Sequence, residues 1–169
     1  DNRNFNIITT DGGLLNAPVS VNRFLISAGE RVEILVDLSG QQGQTIYLKA
    51  YNSTLTQQVP GGDVFPMGPF VNALARKDFS LLRINISAAT ANPVTTIPPT
   101  LTNNSFWNES GASLTRYLTI SDTMIMGNMG VSFMIDHRLF DMDYINYTVP
   151  LNNTEIWEIA STSNFSHPF

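Results

Sequence analysis

The chain has 169 residues, of which 43% are hydrophobic and 14% charged, with a formal net charge of −5 and an isoelectric point near 4.8. That length suits one domain or parts of two, with enough apolar side chains for a core. The nine Lys and Arg are scattered, only Arg76 and Lys77 being adjacent, which excludes a phosphate-binding surface and nucleic acid as a partner, and no apolar run approaches the roughly 20 residues of a membrane span.

Strand signals dominate from the first residues. "FNIITT" (Phe5 to Thr10) is β-branched and runs into the turn signal "DGG". The opening "DNRNFNIITT" thus already reads as strand, so any targeting segment is expected upstream of it or not at all. "VSVNRFLI" follows, then "AGE" as a turn. "RVEILVDLS" (Arg31 to Ser39) alternates, with Val32, Ile34 and Val36 on one face and Glu33, Leu35 and Asp37 on the other. "QGQ" leads into the strand "TIYLKAYN". A Gly- and Pro-rich loop spans Val59 to Pro69, and "PFVNALARKD" (Pro69 to Asp78) carries a short helix of one or two turns. "FSLLRINIS" (Phe79 to Ser87) closes the first half.

Residues 88–113 are rich in Ala, Pro, Thr and Asn, with little periodicity. Their Pro-Pro pair favours extended backbone, and the stretch reads as an inter-domain linker. Beyond it, "LTRYLTIS", "VSFMID", "INYTVP" and "TEIWEIAST" are short strands separated by turns, the pattern of an antiparallel sandwich.

Cysteine is absent, which excludes disulfides, thiol nucleophiles and thiolate metal sites within the chain. Asn-x-Ser/Thr sequons at Asn52, Asn85, Asn103, Asn108, Asn146, Asn152 and Asn164 would accept glycans in a eukaryotic secretory pathway. A chain so rich in Asn, Ser and Thr also generates them by chance.

Chemistry-bearing residues are few. His137 follows Asp136, a pairing that suggests general-base chemistry, yet neighbours on a strand face opposite ways, so His137 reads as a hairpin residue. Asp141 and Asp143 share a face if extended. They suit a glycosidase pair or a calcium site only with further ligands, and read as turn residues. Met124, Met126 and Met129 offer soft thioethers for cuprous ion or simply fill apolar space. Trp157, in "TEIWEIAS", reads as a core or interface residue of a half-buried strand. His167, in the closing "SNFSHPF", has no partner nearby in the sequence.

Taken in order, these segments resemble the multicopper oxidases, the family of laccases, bilirubin oxidases and bacterial copper-efflux oxidases. "IITTDGGLLNAPVSVNRFLISAGERVEILVDLS" resembles the family's middle-domain stretch, where an Asp-Gly-Gly turn precedes an "AGER" strand. "FSLLRINI" with "IPPTL" is similar to the exit into the linker. "SFMIDHRLFDMDYINYTVPLNNTEIWEIASTSNFSHPF" resembles the opening of the third domain, which leads through a Thr-Glu-x-Trp strand to His-Pro-x-His-x-His. Asp136-His137 departs from the family's Asn-Gly hairpin, a change of turn chemistry that removes no ligand.

The resemblance implies an all-β, cupredoxin-like Greek-key β-sandwich in two incomplete domains. Residues 1–87 would be the later part of the middle domain, 88–113 the linker, and 114–169 the first part of the C-terminal domain. It implies copper as cofactor and His167 as a type 1 copper ligand, with Pro168 and Phe169 shaping the loop between the copper centres and the Trp157 strand as scaffold. A blue-copper site needs two His and one Cys; the other ligands, and the trinuclear histidines, would lie outside these residues. The parent would take single electrons from phenolic compounds or metal ions and reduce oxygen to water, and the segment alone would be inactive. Expected partners are the remaining cupredoxin domains or another copy of the chain, and a small-molecule or metal-ion substrate. The expected location is extracellular, periplasmic or in the cell envelope. The alternatives are a copper-free, cupredoxin-like scaffold of the cell envelope and a plain sandwich adhesion or carbohydrate-binding module.

Overall fold

Residues 2–27, 29–56, 59, 61–62, 73–125 and 130–163 are described by a computed structural model. They form nine strands: β1 (Phe5–Thr10), β2 (Gly13–Val21), β3 (Glu33–Leu35), β4 (Thr45–Tyr51), β5 (Asp78–Asn85), β6 (Leu114–Ile125), β7 (Gly130–Ile135), β8 (Arg138–Leu139) and β9 (Glu155–Ser161). The helical elements among them are two single 3₁₀ turns, Asn52–Thr54 and Glu109–Gly111. Of the helix expected at 69–78, residues 69–72 lie outside the described set; 73–76 form a turn rather than a helix.

The described residues divide into two compact units, one from 2–51 and 78–105, the other from the described parts of 52–77 and 106–163. The first contains an antiparallel sheet in the order β2-β1-β3 and the antiparallel pair β4-β5. The β1–β2 hairpin turns at Asp11-Gly12-Gly13, where Gly13 sits at φ +106, a region open to glycine and strained for other residues. The Asp11 carboxylate accepts hydrogen bonds from the Arg31 backbone N–H at 3.1 Å and from Arg31 Nε at 2.9 Å. Glu33 N–H donates to Thr9 Oγ1 at 3.1 Å. The "DGG" turn is thereby tied to β3 and to the residue pair that leads into it.

The ladder slips between Ile7 and Thr9, so Ile7 faces Val19 while Thr9 faces Leu14. Pro18 falls in the gap on an edge strand, where a missing N–H is tolerated. Val32, Ile34 and Val36 are half-buried and Glu33, Leu35 and Asp37 exposed, as the alternation requires, although the paired strand is shorter than the pattern. Phe5 is buried and meets Phe24 edge-on at 5.8 Å.

Residues 88–105 contain no strand. They are fastened to β2 by side chain and backbone: Leu101 N–H donates to the Asn16 carbonyl at 2.8 Å, Asn104 N–H to Asn16 Oδ1 at 2.8 Å, and Asn104 Nδ2 to the Leu14 carbonyl at 2.9 Å. At the following 3₁₀ turn, Asn108 Oδ1 accepts from both the N–H and the hydroxyl of Ser110, the capping role that suits Asn.

The second unit holds a four-stranded sheet in the order β8-β7-β6-β9. β6 pairs antiparallel with β7 but parallel with β9, from Leu114 opposite Glu155 to Ile120 opposite Ser161. The purely antiparallel arrangement expected from the strand pattern is therefore corrected at this pair. Parallel neighbours need a long connection, and the chain between β6 and β9, which carries β7 and β8, is long enough. Leu118 and Ile120 on β6 are buried, the former only 2% exposed.

Candidate functional site

β9 leads toward residues 164–169, and its seating on β6 is fixed at both ends. Ser113 N–H donates to the Thr154 carbonyl, and Thr162 N–H to the Ile120 carbonyl, each at 2.8 Å. His167 lies outside the described residues, as do Met126, Met129, Pro168 and Phe169, while Met124 is described only as part of the β6 backbone.

What the strands do assemble is a polar and aromatic cluster beneath the start of β9. Alternation puts Glu155 and Trp157 on one face. The parallel register sets Arg116 opposite Trp157, so the guanidinium reaches diagonally to Glu155. Arg116 Nε meets Glu155 Oε2 at 2.5 Å and an Nη meets Oε1 at 2.9 Å, a two-point ion pair with the Glu155 side chain almost wholly covered. The same Nη reaches the Thr148 carbonyl at 3.2 Å, and Trp157 Nε1 donates to Glu155 Oε2 at 2.9 Å. These hydrogen bonds, Arg116 first, hold the Glu155 carboxyl below its usual range.

Tyr147 joins the cluster from the connection before β9. Its ring stands edge-to-face on Trp157 at 5.6 Å, with the Arg116 guanidinium 5.4 Å from the ring centre. Its hydroxyl donates to Asp136 Oδ2. Asp136 Oδ1 accepts from the Thr119 N–H at 2.7 Å, and the Asp136 N–H returns a bond to the Thr119 carbonyl at 2.9 Å. The Tyr147 bond, then the Thr119 bond, lower the Asp136 pKa, while the same phenol–carboxylate bond raises that of Tyr147.

Asp136 and His137 form the β7–β8 turn, with φ +47 and +61. Two consecutive positive φ values are what a tight type I′ hairpin demands, and here two non-glycine residues meet it. Asp136 turns inward to Thr119 and Tyr147 while His137 is exposed, so the two neighbours do not form a dyad. His137 borders an open depression with Arg138, Phe140, Asp141 and Met142. Asp141 Oδ1 accepts the Asp143 N–H at 2.9 Å, so this pair folds into a turn, not an extended two-carboxylate face. Trp157 is 36% exposed and lies against Tyr147 rather than in a closed core.

Among the described residues no three His, Cys, Asp or Glu come together to hold a metal. The acids of the cluster are occupied by Arg116, Trp157, Tyr147 and Thr119, leaving no free donor set. The described residues therefore do not fit a copper centre, and no copper step follows from them. Arg116, Tyr147 and Glu155 were not singled out from the sequence. The available signal was Glu155 and Trp157 two apart on one strand, with Arg116 the single cation of β6.

The sheets and turns make this an all-β protein, similar in fold to cupredoxin-like multicopper oxidase domains. No family model matches the chain, but individual proteins do. It is 27% identical to a bacterial laccase-like multi-copper oxidase, CueO from Ochrobactrum sp., with a TM-score of 0.69 over 96% of this chain and 34% of that one. The fold also matches a multicopper oxidase from Campylobacter jejuni, at 20% identity and a TM-score of 0.66 over 95% of this chain. Among curated proteins it is 23% identical over 164 residues to multicopper oxidase LPR1 of Arabidopsis thaliana, covering 97% of this chain and 26% of that protein. It is 26% identical over 168 residues to a laccase of Bacillus stratosphericus, covering 28% of it. A shorter match, 47% identical over 53 residues, is to cell division protein FtsP of Pectobacterium atrosepticum, covering 31% of this chain and 11% of that protein. The chain is a multicopper oxidase-like segment, spanning about a quarter of the curated relatives that it matches along its length.

Proposed function

We propose that this chain is part of a multicopper oxidase that removes single electrons from phenolic compounds or metal ions at a type 1 copper and reduces oxygen to water at a trinuclear copper centre. The observation that carries this reading is the near end-to-end likeness, in sequence and fold, to a laccase-like multi-copper oxidase. His167 is the proposed type 1 ligand, on the strength of its place in "HPF" after the Thr-Glu-x-Trp strand. The seating of β9 on β6 supports the role of the Trp157 strand as its scaffold. The proposed division is 1–87, 88–113 and 114–169, and the proposed location is extracellular, periplasmic or in the cell envelope.

Many apolar side chains stand open to solvent, among them Phe140 at 89% and Leu151 at 90%. Phe140 borders one depression with Met142, 88% exposed, and apolar side chains grouped in this way mark surfaces that other parts of a protein cover. The remaining cupredoxin domains, or another copy, are the proposed cover. Size-exclusion chromatography of the 169-residue chain is expected to show concentration-dependent association; a stable monomer at every concentration counts against it.

The test of the main reading is copper loading of the full-length parent. The oxidase binds copper and shows the intense blue cupric-thiolate band, His167→Ala abolishes that band, and His137→Ala keeps it. The 169-residue chain alone oxidises no phenolic dye. The second reading, a copper-free envelope scaffold, is favoured by the FtsP match; a colourless parent that takes up no copper selects it and removes the first.

A further inference from the structure

We propose that Tyr147 is a proton-coupled one-electron donor, with Asp136 as the base that takes its phenolic proton and Trp157 as the aromatic neighbour through which the electron leaves. This goes beyond the copper reading and does not rest on it.

Three features meet at one phenol. The first is the base: the Tyr147 hydroxyl already donates to Asp136 Oδ2, so the proton acceptor is within hydrogen-bond reach before any electron moves. Losing an electron makes a phenol O–H strongly acidic, and a carboxylate already bonded to it collects the proton without diffusion through solvent. Asp136 is kept in place by its reciprocal bonds with the Thr119 backbone.

The second is the route. Trp157 lies edge-to-face on the Tyr147 ring at 5.6 Å and is 36% exposed. An oxidant in solution reaches the indole and the ring behind it is in contact. The third is the charge. Arg116 holds its guanidinium 5.4 Å from the Tyr147 ring centre. A cationic ring beside a cation is disfavoured, which favours loss of the proton with the electron. Glu155, ion-paired to Arg116 and accepting from the Trp157 N–H, offsets part of that cation's field at both rings.

The step balances simply. Tyr147 gives one electron, by way of Trp157, to a high-potential one-electron metal-complex oxidant in solution, its O–H bond breaks, and the proton forms an O–H bond on Asp136. The products are a neutral tyrosyl radical, a neutral Asp136 acid and the oxidant reduced by one electron. Re-reduction runs the same transfer backwards.

The test is flash oxidation of the copper-free 169-residue chain with photogenerated tris(bipyridine)ruthenium(III), read by transient absorbance and electron paramagnetic resonance. With Tyr147, Asp136 and Trp157 intact, the chain is expected to give a neutral tyrosyl radical whose formation slows in heavy water but ignores buffer-base concentration. Tyr147→Phe is expected to leave a longer-lived tryptophan radical in its place, and Trp157→Phe to slow tyrosyl formation. Asp136→Asn, whose side chain tolerates the same positive φ, is expected to slow it about a hundredfold, the low end of what a positioned base supplies, and to make it depend on buffer base. The other oxidisable rings, among them Tyr117 at 73% and Trp107 at 87% exposure, are removed first: every measurement is made in a background with Tyr47, Tyr51, Tyr117, Tyr144 and Trp107 each changed to Phe. A tyrosyl signal that survives Tyr147→Phe in that background, or buffer dependence before it, overturns the proposal. The buffer measurement is made on the background itself and stands even where a further substitution unfolds the sheet. Failure here leaves the blue-copper test of the parent untouched.

Discussion

The Tyr147 phenol donates to the Asp136 carboxylate across eleven positions of chain, joining the β7–β8 turn to the connection that delivers β9. The bond moves the two groups in opposite directions, Asp136 below its ordinary value of 3.8 and Tyr147 above 10.0. A carboxyl that is more acidic folded than unfolded leaves the unfolded chain holding more protons in acid. Its stabilisation is complete above the ordinary value and lost as pH falls through the folded one. A phenol held protonated in the fold does the reverse: its contribution is complete below pH 10.0 and lost as pH rises through its folded value. Thermal midpoints followed by near-ultraviolet circular dichroism are therefore expected to decline at both extremes. In Tyr147→Phe the alkaline decline attributable to this bond is removed, while part of the acid decline persists because Arg116 also holds Glu155 below its ordinary 4.5. An unchanged alkaline limb in that variant contradicts the assignment.

His137 occupies a left-handed position, φ +61, with its side chain exposed. A Cβ in that region costs about 1–2 kcal/mol, and nothing in the described hydrogen bonding of the turn requires the imidazole. His137→Gly is expected to raise stability by about 1 kcal/mol, read from urea midpoints with unchanged slope. Asp136→Gly is expected to do the opposite despite its positive φ, because it deletes the acceptor of Thr119 and Tyr147, at a cost of about 1–3 kcal/mol. If both glycine variants stabilise, Asp136 is only a turn residue.

Much of this architecture was legible in local pattern. "RVEILVDLS" declared its two faces because side chains alternate along any strand, and "DGG" declared its turn because glycine reaches positive φ freely. The pairing of Asp11 with Arg31 was not legible, since twenty residues separate them and only the register of β1 with β3 brings them together. Strand direction was equally hidden: β9 reads the same whether it runs with β6 or against it, and alternation carries no sign. The candidate site failed for the same reason. Glu155, Arg116, Tyr147 and Asp136 are drawn from separate segments. His167 was marked by the resemblance alone, and it lies outside the described residues.

Leu118 is the most deeply covered of the buried apolar side chains described, 2% exposed, at the middle of β6 opposite Ile159. With so few residues buried to this degree, a cavity there has little surrounding core to close over it. Leu118→Ala is expected to cost about 2–5 kcal/mol, measured by urea unfolding of the second unit through Trp157 fluorescence in a Trp107→Phe background. A loss well under 1 kcal/mol would show that this sheet does not depend on that contact for its stability.

Asn16 connects the 98–105 stretch to β2 through two separate groups, its carbonyl to Leu101 and its side chain to the Asn104 amide. The substitution Asn16→Ala removes only the second, since the backbone carbonyl remains. The Asn104 N–H is then left to solvent while the Leu101 N–H keeps its partner. Amide hydrogen exchange followed residue by residue is expected to speed up at Asn104 and to change little at Leu101. Asn104→Ala does the converse: it deletes the bond from Nδ2 to the Leu14 carbonyl and leaves the Asn104 N–H on Asn16 Oδ1. Equal acceleration at both amides in Asn16→Ala would mean that the strap opens as one unit, with its proline-rich start held by the same few bonds. No acceleration at Asn104 would mean that its amide is protected by something other than Asn16.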